Sequence, residues 1–283
     1  MGAHWSGPVA ELLRVGEEVD LSRMDRGGTP GWDHGKKKAE KFLRRRGAEL
    51  SELQERLYAD GRSGGTRSVL LVLQGLDTAG KGGIVRHVLG MVDPQGVSIA
   101  SFGVPTAEEA AHDHLWRIRR QLPSAGRIGV FDRSHYEQVL VVRVSELEPA
   151  EVNETRYAEL VAFDRELVAA GTIVVKVALM VSFDEQFERL AERLDRPDKY
   201  WKYSPGDIDT RLDWDDYQRA YTEMLSRTSV PEAPWYVIPA DCKWYARLAV
   251  TELLIEALRS LDLGWPPADF DVTAEKRRLA RTR

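Results

Sequence analysis

The stretch Leu70–Val88, LLVLQGLDTAGKGGIVRHV, limits the fold more than any other part of the chain. An unbroken apolar run reads as a strand buried on both faces, the kind found inside a parallel sheet. The glycines that follow force a sharp turn, and a helix pattern begins at Lys81. Gly75, Gly80 and Lys81 fit the phosphate-loop spacing G-x-x-x-x-G-K, in which a Ser or Thr normally comes next and its hydroxyl holds Mg²⁺. Here the next residue is Gly82. The chain therefore carries an anion-binding loop and lacks the usual metal-side hydroxyl.

Around this unit, strands and helices alternate. The pattern predicts strands over Arg67–Gln74, Val97–Phe102, Arg127–Phe131, Thr172–Val181 and Pro234–Ala240. It predicts helices over Lys36–Tyr58 (stopped by Gly61), Lys81–Met91, from Pro105 to about Gln121, and over Ala150–Ala170, Phe183–Leu194, Trp214–Arg227 and Lys243–Leu261. Such alternation indicates an α/β fold, a five-stranded parallel sheet covered on both faces. Residues 1–35, rich in Gly, Asp and Pro, read as an extended arm lying on the body through Trp5 and Trp32. Residues 36–270 form one domain, and 271–283 a C-terminal tail.

Size and charge exclude other classes. The 283 residues suffice for one large domain, and 43% hydrophobic with 30% charged residues reads as globular. No apolar run is long enough to span a bilayer, no secretory core opens the chain, and Cys242 is alone, so a cytoplasmic protein without membrane partners is expected. A net charge of −5 argues against general nucleic-acid binding. Two cationic clusters, GKKKAEKFLRRR (Gly35–Arg46) and WRIRR (Trp116–Arg120), read either as solvated helix faces or as patches for a polyanion.

Ligands in parallel sheets bind at the carboxyl ends of the strands, where the informative residues fall. The loop supplies Gly75, Thr78, Ala79, Gly80, Lys81, Gly82 and Gly83, with Arg86 one turn on, as a phosphate cradle. Asp77 lies inside the loop, and the third strand ends in Asp132 of FDRSHYE. Two carboxylates can hold Mg²⁺ (or Mn²⁺) together with water and phosphate oxygens, which would replace the missing hydroxyl. Asp77 as a simple turn cap is the alternative. Arg133 can bridge phosphate oxygens, and Glu137 can orient or deprotonate an attacking phosphate or complete the metal shell. His135 reads equally as a packing residue.

Together GLDTAGKGG, Pro105–Thr106, HDHLWR, FDRSHYE, KYWKYSPGD and PWYVIPADCKWYARL, in this order from about Lys36 to Leu263, resemble the polyphosphate kinase 2 family. The resemblance implies a phosphate-loop kinase fold, three layers α/β/α, with a helical lid at about Phe187–Asp216 carrying Arg189, Arg193, Lys199 and Lys202. It implies Mg²⁺-dependent, reversible transfer of the terminal phosphate of inorganic polyphosphate to ADP or AMP, with guanine nucleotides a further acceptor class. It implies a homodimer or homotetramer. Within the family, DRSHYE mixes the ADP-preferring pattern DRSWYN with the dual-specific NRSHYE. Glu137 and VLVVRV lean to the dual side, while Gly82 and Gly103 stand where that group often has Asp and Lys. A cationic track (Lys36–Arg46, Arg86, Arg117–Arg120) suits a long polyanion, and Tyr200, Trp201 and Tyr203 would contact a base or pin the lid. The alternatives are an NTP-dependent kinase of nucleotides or small metabolites and a non-catalytic nucleotide-regulated protein.

Overall fold

In the computed structural model, which describes residues 4–16 and 18–283, five strands form a single parallel sheet. They are β1 (Ser68–Gln74), β2 (Val97–Ser101), β3 (Ile128–Asp132), β4 (Thr172–Met180) and β5 (Trp235–Pro239), in the order β2-β3-β1-β4-β5. All seven residues of β1 are buried, as the apolar run Val69–Leu73 at its centre requires. Full burial of such a side chain contributes roughly 1.5–3 kcal/mol, so β1 anchors the sheet. The register pairs Leu73 of β1 with Asp132 of β3, which brings the end of β3 level with the start of the glycine-rich loop.

Helices cover both faces. On one side α2 (Lys36–Arg62), α3 (Lys81–His87) and α11 (Lys243–Ser260) share a core with Leu50, Leu71, Val177 and Leu254. On the other side α6 (Val141–Val144), α7 (Ala150–Ala169), α10 (Trp214–Thr228) and the 3₁₀ turn His135–Val139 pack in a core with Leu70, Phe131 and Trp235. The result is the three-layer α/β/α arrangement. Beyond β4, α8 (Phe183–Asp195), a 3₁₀ turn (Pro197–Lys202) and α9 (Gly206–Leu212) lead into α10 over the carboxyl end of the sheet. Among the described residues no helix is long and apolar enough to cross a membrane.

Three expectations need correction. The helix from Pro105 to Gln121 is instead two short pieces, α4 (Ala107–Ala110) and α5 (Trp116–Arg119). A Thr106–Glu109 capping box starts the first. The Asp113 carboxylate then accepts the Leu115 N–H at 3.0 Å, a local bond that competes with the helix ladder and breaks it. Second, α2 runs on through Gly61, because that glycine is a packing position. A Cβ there would lie 2.5 Å from the Gly126 Cα. Third, the N-terminal arm is not simply extended. It holds helix α1 (Val9–Leu13), whose first N–H groups donate to the Glu256 carboxylate at 2.9 and 3.0 Å. Val15 N–H then bonds Trp235 O, and Arg14 bridges Tyr236, so the arm shields the outer edge of β5. Trp32, 1% exposed, packs among Trp5, His34 and Phe42.

Candidate active site

The loop between β1 and α3 turns on left-handed backbone. Gly75 (φ 156°) passes so close to β4 that a Cβ would lie 2.8 Å from Leu179 O, and Gly80 has φ 114°. Thr78 adopts φ 66°, a conformation a β-branched residue holds only when its surroundings impose it. Among the described residues no acceptor takes the N–H groups of Thr78, Gly80, Lys81 or Gly82. The Thr78 hydroxyl is also buried without a partner. Unpaired donors in a concave backbone are what an anion binds. Lys81 folds back over the loop, its Nζ donating to Gly75 O at 2.6 Å. Burial pushes its ammonium below the ordinary lysine range, with Arg133 adding to the effect against the opposing carboxylates.

The end of β3 supplies the acidic side. Arg133 takes a left-handed turn (φ 63°) directly after Asp132, and its N–H bonds Leu73 O at 3.1 Å. Its guanidinium donates to Asp77 Oδ1 at 2.7 Å and lies 3.5 Å from Glu137 Oε2. Burial works against that positive charge, but Glu137 and Asp77 outweigh it and hold the guanidinium firmly protonated. Glu137 shows the reverse. Burial raises its carboxyl above the ordinary glutamate range although Arg133 and Lys81 pull it down. Its turn is capped by Ser134, whose Oγ accepts the Tyr136 N–H at 3.2 Å and the Gln74 amide at 3.3 Å.

Asp77 and Asp132 line one cavity of about 710 Å³, together with Lys81, Gly82, Arg86 and Arg133. Among the described residues nothing pairs with the Asp132 carboxylate, and Asp77 uses one oxygen on Arg133. A donor set of two carboxylates, the orphaned Thr78 hydroxyl and space for phosphate oxygens and water suits a hard divalent cation. Room at position 82 is not the constraint, since a Cβ there would meet nothing within 4 Å.

The four lid residues do not stand alike. Arg189 is 6% exposed and engaged with the main chain: it donates to Thr78 O at 2.9 Å, Ala240 O at 2.7 Å and Asp241 O at 2.9 Å. It touches the cavity, but as a strut tying α8 to the phosphate loop and the end of β5. Gln186 assists by donating to Asp77 O at 3.2 Å. Arg193 pairs with Asp207 at 3.1 Å and bonds Lys202 O. Lys199 and Lys202 line the cavity with exposed Trp201, and the Lys202 ammonium sits 4.8 Å from the Trp201 ring centre. Asp207 is raised above the ordinary carboxylate range by burial and by Asp77.

Part of the expected cationic track is already engaged within the chain. Arg46 is held by Glu252 and Glu49, Arg119 by Glu166, and Arg117 by Gly103 O and Glu109. Gly103 and Arg117 line a separate hollow of about 390 Å³. Of those residues only Arg86 reaches the main cavity, and the sequence reading missed the cations that join it there. Lys243 and Arg247 project from the first turns of α11, and His87 from the end of α3. Their i, i+4 spacing directly after β5 was a usable signal, because that helix starts at the carboxyl edge of the sheet. Among the described residues nine lysines and arginines and four carboxylates (Asp77, Asp132, Glu192, Asp207) line the cavity, which is chemistry for a multiply charged anion.

Comparison with known proteins gives a consistent picture. The family model described as Polyphosphate kinase 2 (PPK2) matches residues 33–263. An AMP/ADP-polyphosphate phosphotransferase from Meiothermus ruber is 45% identical over 87% of this chain and 91% of its own length. An ADP-polyphosphate phosphotransferase from Rhodopseudomonas palustris is 43% identical over 89% of each. A crystal structure of polyphosphate kinase 2 from Arthrobacter aurescens TC1 superposes with a TM-score of 0.96 at 49% identity, over 99% of both chains.

Proposed function

The chain belongs to the polyphosphate kinase 2 family, and from that premise we propose that it transfers the terminal phosphoryl group of inorganic polyphosphate to ADP or AMP. The observation that carries this reading is the cavity itself, with unpaired loop N–H groups on one wall, two carboxylates on another and an excess of cations around them. A phosphoryl group bound there would lie on the N–H groups of Thr78, Gly80, Lys81 and Gly82. Lys81 and Arg133 neutralise the charge that spreads over its oxygens in the transition state. Asp77 and Asp132 would hold Mg²⁺ or Mn²⁺, and the metal supplies further neutralisation of the phosphate oxygens.

A terminal phosphate oxygen of the acceptor attacks the end phosphorus of polyphosphate. The new P–O bond forms as the old anhydride bond breaks, and polyphosphate leaves one unit shorter. One anhydride replaces another with either acceptor, so the reaction runs in both directions. Glu137 holds the acceptor phosphate or takes its remaining proton. Arg193, Lys199, Lys202, Lys243 and Arg247 bind the rest of donor and acceptor, and the segment Phe187–Asp216 closes as a lid that keeps water from the anhydride. We assign the enzyme to the cytoplasm, as a homodimer or homotetramer, with guanine nucleotides as secondary acceptors.

The test is direct. Purified protein with Mg²⁺, polyphosphate and ADP should form ATP, and with AMP it should form ADP. Rising salt should weaken polyphosphate use more than nucleotide use, since the longer anion engages more charges. Phosphorylation of ADP or AMP that fails with polyphosphate and requires a nucleoside triphosphate donor, or binding without turnover, would contradict the assignment.

A pH profile gives a second check. Glu137 must be ionised to accept a proton, and its affinity for that proton is raised, so activity should fall on the acid side at a higher pH than an ordinary glutamate gives. Lys81 must be charged, and its affinity is lowered, so the alkaline limb should begin below the ordinary lysine range. In a kcat/KM profile, Glu137→Gln should abolish the acid limb and leave the alkaline one. A wild-type acid limb that survives in that variant belongs to another group.

A further inference from the structure

The C-terminal tail folds into a helix that its own body does not hold. Helix α12 (Val272–Ala280) is capped by Asp271, yet none of its residues is buried. Every residue from 267 to 283 is exposed, including Phe270 (58%) and Leu279 (71%). Among the described residues no hydrogen bond or ion pair joins 266–283 to the rest of the chain. A lone helix of nine residues is marginal in water. On its own it would fray, and packing against a surface outside this chain's fold would hold it.

The Arthrobacter aurescens structure carries the argument further. If residues 264–283 contributed nothing to that superposition, the remaining 263 of 283 residues would cap the score at about 0.93, whereas it is 0.96. Part of the tail therefore superposes along with the body. The tail is also complementary to the body in charge. Residues 264–283 carry five basic and three acidic side chains, a net of +2, which leaves −7 on the remainder.

We propose that residues 264–283 are an arm that packs on the body of a second copy of this chain, with Phe270, Val272 and Leu279 against its apolar surface and Lys276, Arg277 and Arg278 against its acidic groups. The apolar side chains favour a protein partner over a bare polyanion. The arm rests on the assembly proposed above and names the segment that secures it.

Light scattering on the full chain at micromolar concentration should give at least twice the 32.0 kDa of one chain. A chain ending at Leu263, and the Phe270→Glu/Leu279→Glu variant, should fall to the mass of one chain or of a smaller assembly. Both should keep the circular dichroism of the folded body, since none of the altered or removed side chains is buried. A full chain that is monomeric overturns both the assembly and the arm. An assembly whose mass survives truncation overturns the arm alone. If truncation instead weakens only the use of long polyphosphate, the tail is a handle for the substrate and the proposal fails.

Discussion

Asp132→Asn should lower kcat by about 10²-fold or more at saturating Mg²⁺, the loss that follows removal of one preorganised electrostatic group. The fold should survive, because among the described residues that carboxylate has no partner to lose. Its side chain stands at the end of β3, level with Leu73 at the entry to the phosphate loop. Asp77→Asn should reduce the rate by a similar factor for the same reason. It also weakens the 2.7 Å pair with Arg133, so a modest loss of stability should accompany it. Steady-state rates beside thermal melts separate the two effects. Near-normal rates in folded protein would remove both acids from the reaction.

The largest expected loss of stability lies beneath the site. Lys176 of β4 and Asp164 of α7 form an ion pair at 2.5 Å, both side chains fully buried. Lys176 also donates to Tyr136 OH at 3.0 Å and Thr228 O at 2.8 Å, and Tyr136 OH donates to Asp164 at 2.6 Å. His135 completes the cluster, its Nε2 3.6 Å from Asp164 Oδ1. Burial pushes the imidazole below the usual histidine range although Asp164 opposes the shift. Removing one member leaves an uncompensated charge in the core, so Lys176→Met or Asp164→Leu alone should destabilise by about 3–5 kcal/mol. That is a large part of the roughly 5–15 kcal/mol that holds a domain together. The double variant should recover most of the loss, as buried pairs replaced by apolar residues commonly do. Urea denaturation of the four proteins measures the coupling. Additive losses would mean that the pair does not act as a unit. The turn that carries Glu137 hangs from this cluster through Tyr136, so the single variants should also loosen the site.

The sheet was legible because β1, β3 and β4 are mainly apolar runs between strong turn signals, as strands buried on both faces are, and the half-exposed edge strand β2 was marked by its place in the strand–helix alternation. The phosphate loop was legible for the same reason, with the glycines falling where the backbone turns left-handed. That Asp77 and Asp132 would lie together was legible from their positions alone, since both follow strands at the carboxyl edge of the sheet, and they line one cavity. Arg189 was not. Sequence places a cation at helical spacing, but only the fold reveals that backbone carbonyls of the loop and of β5 take its N–H groups. The same limit applies to the cationic clusters, because a basic run does not disclose that Glu252 and Glu166 have already claimed Arg46 and Arg119. The arm was misjudged because helix α1 is only five residues long, and a single apolar pair at i, i+4 spacing, Val9 and Leu13, amid Gly, Asp and Pro is too weak a periodic signal. Val9 and Leu13 pack in one core and Leu21 in the other. The break after α4 came from one side chain, Asp113, whose local bond no apolar pattern records.

The central claim is that two acids at neighbouring strand ends hold the divalent ion that a hydroxyl at position 82 would otherwise help to hold. Titration with Mn²⁺ in the presence of tripolyphosphate, followed by electron paramagnetic resonance, tests it without relying on turnover. The wild-type protein should bind one ion tightly, and Asp77→Asn and Asp132→Asn should each weaken that binding by about ten- to a hundredfold, as loss of a charged ligand implies. Equal Mn²⁺ affinity in all three folded proteins would contradict the account.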